Sequence, residues 1–209
     1  MTQTLNELLK QGLIANNHHL SATVNQQLLD FLALLDKWNQ VFNLTAIRNA
    51  EDMVVLHILD SLAIAPFLFG KRIIDVGTGA GLPGIPLALT QPDKEFFLLD
   101  SNGKKTRFLN QVKSELSLKN IQILQARIED YKPDIYFDSI VSRAFSSIPV
   151  MLAKTQHLAA PDGQFIAMKG NLPQQEIDEV SAEFTVVDVH KLSINGLSAQ
   201  RHVVCIKRL

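Results

Sequence analysis

The chain opens on a helical rhythm. Leu5, Leu8, Leu9 and Leu13 recur at helical spacing until the pair Asn16-Asn17 interrupts them. A longer apolar stripe follows, through Leu28, Phe31, Leu32, Leu35, Trp38 and Phe42, as broad as the buried face of an amphipathic helix. Asn49 suits the cap of a third helix, because its side-chain oxygen can accept orphan amides. Glu51 and Asp52 then fall in that helix's positive first turn. The helix is expected to run to about Ala65, since a residue before proline, here Pro66, is driven out of the helical region. Residues 1–68 are read as a helical cap laid on the layer that follows.

From Lys71 the rhythm changes to short apolar runs separated by helical stretches. Strands are expected at 72–76, 95–99, 121–124, 139–141, 164–168, 185–190 and 202–207, with helices near 85–90, 104–116, 148–159 and 173–180. Such alternation implies βαβ units with right-handed crossovers and therefore an α/β fold with a seven-stranded, mostly parallel sheet. No helix fits between the last two strands, so they should pair as an antiparallel hairpin at the sheet edge. Residues 69–209 form this core, and cap and core together read as one compact unit.

Composition narrows the class. Of 209 residues, 46% are hydrophobic and 20% charged, which suits a folded soluble protein rather than a disordered one. The single cysteine, Cys205, allows neither a disulfide framework nor a clustered-thiolate zinc site, and it reads as packing in the last strand. The N-terminus lacks a positive leader and an apolar stretch, and no run approaches a membrane span, so a cytoplasmic protein is expected. Net charge is −1, no footprint of a nucleic-acid binder as a whole. Between Asn102 and Arg127, however, Lys104, Lys105, Arg107, Lys113, Lys119 and Arg127 face only Glu115. That segment is either a solvated helix face or a phosphate-contacting surface.

The first strand runs into Gly77-Thr78-Gly79-Ala80-Gly81. Ligands of open parallel sheets bind at the carboxyl ends of the strands, and glycines let the backbone approach a ligand. The third glycine comes one residue too early for the dinucleotide fingerprint. A helix is expected to begin near Leu82, with Pro83 in its first turn. A pyrophosphate favours a helix N-terminus, whereas the methionyl part of S-adenosylmethionine brings an ammonium, a carboxylate and a sulfonium. Asp75 either holds that ammonium or bonds loop amides as a strand-end residue. Asp100 closes the second strand 21 residues beyond Gly79, where an acid can accept both ribose hydroxyls. After the third strand, Ile128 and Glu129 are candidates to cover the adenine, while Glu129 or Asp130 can equally cap a helix. Arg143, past the fourth strand, can anchor the cofactor carboxylate or an RNA phosphate. His57 and Asp60 share one helix face, and His57 is either a core histidine or a guanine-edge contact.

These residues resemble a known family. Lys37-Trp38-Asn39, Asn43-Leu44-Thr45 and His57-Ile58-Leu59-Asp60-Ser61 lead into residues 75–86, DVGTGAGLPGIP. Leu99-Asp100-Ser101, residues 104–109, Ser142-Arg143-Ala144-Phe145 and Lys169-Gly170 follow in order. The set is similar to the bacterial glucose-inhibited division protein B family, the 16S ribosomal RNA guanine-N7 methyltransferases. That resemblance implies a class I, Rossmann-like methyltransferase fold that uses S-adenosylmethionine, releases S-adenosylhomocysteine and needs no metal. It carries cofactor contacts onto Gly77, Leu82, Ile128, Glu129 and Arg143, beside Asp75, Gly79, Gly81 and Asp100 from the turn itself. Ala80 stands where some relatives have proline, and Asn102 and Lys105 vary the basic helix start. The implied partner is 16S rRNA in a folded or partly assembled small subunit, with no obligate protein partner and no membrane. Lys104, Lys105, Arg107 and Lys169 are the RNA-contact candidates, and His57, Arg143 and Lys169 the candidates for acceptor positioning. Guanine N7 carries its own lone pair, so no general base is assigned. No Asn-Pro-Pro-Tyr-like tetrapeptide follows the fourth strand, which argues against amino-group methylation. A small-molecule or protein acceptor and a non-catalytic nucleotide module are the competing readings.

Overall fold

A computed structural model describes residues 2–143 and 145–209, so Ala144 of the 142–145 motif lies outside the described residues. Helix α1 (Thr2–Ala15) stops where Asn16 turns its side-chain amide onto the Gly12 carbonyl at 2.6 Å. Helix α2 (Ala22–Phe42) starts on Ser21, whose hydroxyl accepts the Val24 amide at 3.2 Å, and ends at Asn43 in the left-handed region. Asn49 caps the third helix as expected, its Oδ1 accepting the amides of Glu51 and Asp52 at 2.8 and 3.0 Å.

That third helix is not uniform. It begins as α3 (Ala50–Met53), widens into a π-helical segment, Val54–Leu59, and resumes as α4 (Asp60–Leu62). It ends at Leu62, short of the expected Ala65, and Pro66 sits in a separate 3-10 turn, Ala65–Phe67. Pi-helical turns inside helices recur at functional sites, and this one carries His57 next to Asp60.

The core then alternates as expected: β1 (Arg72–Val76), α5 (Gly84–Thr90), β2 (Glu95–Asp100), α6 (Gly103–Glu115), β3 (Ile121–Gln125) and β4 (Phe137–Ser142). It continues through α7 (Ile148–Thr155), β5 (Ala159–Lys169), α8 (Gln174–Asp178), β6 (Phe184–Leu192) and β7 (Arg201–Arg208). Helix α7 stops at Thr155, short of the expected 159, because Gln156–Leu158 tightens to a 3-10 turn and Ala159 already pairs with Phe137. The sheet order is β3-β2-β1-β4-β5-β7-β6. Neighbours from β3 to β5 are parallel, and β7 runs antiparallel to both β5 and β6. The hairpin therefore forms at the edge with its second strand on the inside.

Strand alternation divides the core in two. Ile73, Phe96, Leu98, Val141 and Ile166 face the side on which α5, α6 and the helical cap pack. Ile74, Phe97, Leu99, Ile140 and Phe165 face α7. The cap is locked to α6 through aromatic rings: Phe108 lies 6.4 Å from Phe31 and 5.6 Å from Trp38, centroid to centroid. Cys205 is buried in the first of these cores, and burial pushes its thiol up. Among the described residues no helix is long and apolar enough to cross a membrane.

Candidate active site

The glycine turn leaves β1 with φ angles of 70°, 61° and 84° at Gly77, Gly79 and Gly81. L-residues rarely adopt such values, which is why three glycines alternate here. The amides of Gly77 and Thr78 both donate to the Leu99 carbonyl, at 2.9 and 3.1 Å, so the turn is tied to the end of β2. Gly81 is a packing position as well, because a Cβ there would lie 2.5 Å from Ile85 and 2.8 Å from Leu109. Helix α5 begins at Gly84 rather than near Leu82; Leu82 enters the core and donates its amide to the Thr78 carbonyl.

The two acids differ in environment. Asp75 is buried, and its Oδ2 accepts the Thr78 hydroxyl at 2.7 Å and the Gly84 amide at 2.9 Å. One oxygen thus serves the loop. The other, Oδ1, is buried with no hydrogen-bond partner among the described residues. Burial pushes the Asp75 carboxyl up to about 6; the Thr78 and Gly84 bonds and the charge of Arg143 pull the other way. Asp100 accepts the Gly79 amide on Oδ2 at 3.0 Å and the Asn102 amide on Oδ1 at 2.8 Å, with Lys105 Nζ 3.4 Å from Oδ2.

A cleft of about 340 Å³ opens at these strand ends, a volume suited to a small ligand. Gly77, Asp100, Ile128 and Glu129 line it, whereas Asp75, Gly79, Gly81, Leu82 and Arg143 do not. Phe145, from the 142–145 motif, also stands in the wall; sequence reasoning missed Lys154, which lies 2.6 Å from the Glu129 carboxylate. Lys105, grouped above with the RNA-facing cations, also lines this cleft, while Lys104 and Arg107 are exposed.

A second cavity, of about 420 Å³, lies where the helical cap meets the ends of β4 and β5 and the start of β7. It is lined by His57 and Asp60 from the cap, Arg143 after β4, Lys169 closing β5 with Gly170 after it, and Arg201 opening β7. The Ser142 hydroxyl donates to the Val76 carbonyl at 2.9 Å, fastening the β4 end to the glycine turn. His57 Nε2 sits 2.9 Å from the Thr45 hydroxyl. Burial lowers its pKa to about 4, and the nearby Arg143 charge acts in the same direction, so the ring is neutral near neutral pH. Lys169 is mostly buried and ion-paired to Glu176 at 2.8 Å. Asp60 and Arg201 meet at 2.8 Å, a contact that no sequence motif announced. Among the described residues, no group of three His, Cys, Asp or Glu side chains is placed to hold a metal ion.

The strand order, the glycine turn after β1 and the acid closing β2 define a class I S-adenosylmethionine-dependent methyltransferase fold. Solved structures agree on the fold. A ribosomal protein L11 methylase from Lactobacillus delbrueckii subsp. bulgaricus matches with a TM-score of 0.55 at 17% identity, over 77% of this chain and 79% of that one. The TYW2 protein of M. jannaschii, solved with AdoMet, matches with a TM-score of 0.55 at 16% identity, over 73% and 76%. The family is set by sequence. The GidB model, rRNA small subunit methyltransferase G, matches residues 24–204, and the chain belongs to that family. The ribosomal RNA small subunit methyltransferase G of Idiomarina loihiensis is 46% identical over 208 residues, 100% of this chain and 99% of that protein. That of Legionella pneumophila subsp. pneumophila is 52% identical over 184 residues, 88% and 87% of the two chains. The family found is the one the motifs resembled.

Proposed function

We infer that the protein methylates small-subunit ribosomal RNA with S-adenosylmethionine as donor, and that the acceptor atom is guanine N7. Membership of the methyltransferase G family along nearly the whole chain carries this reading. The site fits the donor. Oδ1 of Asp100 accepts only the Asn102 amide, while Oδ2 takes the Gly79 amide and a long Lys105 contact, so a carboxylate with about four acceptor sites keeps capacity for the ribose. Asp75 lies behind the cleft wall, and its unpartnered Oδ1 suits an ammonium held near it, directly or through water. Ile128 supplies an apolar wall and Glu129 a polar group for the adenine, and Gly77 brings backbone to the ligand. When bound, S-adenosylmethionine supplies a methyl group on a positively charged sulfur.

The protein's own work is alignment. N7 needs no deprotonation, so the chain must hold the guanosine with its lone pair aimed at the cleft, a positioning effect that can be worth about 7–11 kcal/mol. The cavity bordered by His57, Asp60, Arg143 and Lys169 is the place for that guanosine. Neutral His57 adds no charge there. Exposed Lys104 and Arg107 meet RNA phosphates. The substrate is folded rRNA or a partly assembled small subunit, in the bacterial cytoplasm. The test is methyl transfer from labelled S-adenosylmethionine to small-subunit rRNA, free and in the particle, followed by nucleoside mapping. A single labelled 7-methylguanosine is expected. Label found on protein, on small molecules or on another nucleoside overturns the reading.

A further inference from the structure

Asp60 is a buried carboxylate that joins two arginines from distant parts of the chain. Its Oδ1 accepts Arg201 Nε at 2.8 Å and its Oδ2 accepts Arg143 Nη1 at 3.4 Å, while its own side chain is 3% exposed. The arginines are 24% and 32% exposed and line the cavity. Arg201 also donates from Nη1 to the Gln200 carbonyl at 2.9 Å, and Arg143 from Nη1 to the Leu56 carbonyl at 3.4 Å. Among the described residues neither guanidinium has a hydrogen-bond partner on Nη2, so those donors face the cavity's would-be ligand. Lys169 also lines the cavity but is paired to Glu176, so the two arginines against Asp60 leave one net positive charge there, in a chain whose net charge is −1.

Such a fork pair can take either the O6/N7 edge of guanine or a phosphate. The chemistry decides between them. A guanidinium on the O6/N7 edge would occupy the N7 lone pair that must stay open to the methyl group. The donors are therefore directed at backbone phosphate. We propose that Arg143 and Arg201, held side by side by Asp60, clamp a backbone phosphate of the target nucleotide. Asp60 is the positioning residue: it restrains both forks, so less freedom is lost when RNA binds. This inference rests on the rRNA reading above.

Arg201 carries the test, because Arg143 is also a candidate for the cofactor carboxylate. Steady-state methylation of small-subunit rRNA is measured for wild type, Arg201→Ala, Arg201→Lys and Asp60→Asn over a range of salt, with S-adenosylhomocysteine affinity measured by calorimetry. Arg201→Ala should raise KM for rRNA roughly tenfold, the scale of one charge-assisted hydrogen bond, with kcat within about twofold. Its plot of log KM against log salt should be shallower by about one unit, a change that a purely structural defect does not produce. Arg201→Lys should restore the slope and only part of the KM, and Asp60→Asn should raise KM while keeping both cations. S-adenosylhomocysteine should bind Arg201→Ala as it binds wild type. An unchanged KM and slope in Arg201→Ala, or a loss confined to kcat, overturns the clamp and leaves the substrate reading intact. Absence of methyl transfer to rRNA by the wild-type protein overturns the substrate reading and the clamp with it.

Discussion

Replacing Asp75 by asparagine keeps its contacts and removes its charge, because an amide oxygen can still accept both the Thr78 hydroxyl and the Gly84 amide. In the free protein burial holds the carboxyl up to about 6, so near that pH it is half protonated. An ammonium placed at the unpartnered Oδ1 requires the carboxylate. Ligand binding below about pH 6 must then release a proton. The Kd of S-adenosylhomocysteine should rise by nearly tenfold for each unit of pH below that value, about 1.4 kcal/mol per unit, and level off above it. Calorimetry in buffers of different ionisation enthalpy reads both the affinity and the released proton. Asp75→Asn should bind more weakly near neutrality and lose the dependence.

The sign for folding is opposite. A raised value means that the fold prefers the protonated acid, so the stability Asp75 contributes is full below 3.8 and is lost as pH rises through about 6. A gap of that size corresponds to roughly 3 kcal/mol across the window. Denaturant unfolding of the ligand-free protein should therefore show a fall in stability over this range that Asp75→Asn flattens. A wild-type Kd that does not change between about pH 5 and pH 7, or an identical slope in Asp75→Asn, would overturn the pairing of Asp75 with the ammonium.

Three further outcomes follow from the geometry. Asp100→Ala removes the acceptor of the Gly79 and Asn102 amides and the proposed ribose contact, so S-adenosylhomocysteine should bind at least about tenfold more weakly by calorimetry, with the fold retained by circular dichroism. Gly81→Ala forces a Cβ against Ile85 and Leu109 at a φ of 84°, and should lower unfolding free energy by about 1–3 kcal/mol in urea titrations. The double change Lys104→Ala with Arg107→Ala should flatten the salt dependence of rRNA binding by about two units and leave cofactor affinity unchanged.

The parallel core was legible because each strand is a short apolar run ended by a turn or a cap, and Asn102 and Ser147 sit where α6 and α7 begin. Local pattern does not report where a side chain spends its bonds. Asp75 illustrates this: its position beside the turn was readable, but the division of its two oxygens between loop and buried space depends on Gly84 and on how α5 packs. Charge counts erred in the same way. Lys105 and Lys169 count as free cations along the chain, yet Asp100 and Glu176 take them in space. The widening of the third helix at Val54–Leu59 leaves no mark in the hydrophobic stripe, although it sets the face on which His57 and Asp60 meet the core.

Arg201 is the clearest case of a cavity-lining residue that sequence could not assign. Sites in parallel sheets gather at the carboxyl ends of strands, so a search from sequence looks after each strand and passes over the residue that opens one. β7 runs antiparallel between β5 and β6, and its first residue therefore returns to the same rim as Arg143 and Lys169. Register makes the point concrete: His202 pairs with Lys169, which sets Arg201 one step beyond the end of β5 and within reach of Asp60. In a mixed sheet of this order, the opening residue of the antiparallel strand belongs among the site candidates on the same footing as the closing residues of the parallel ones.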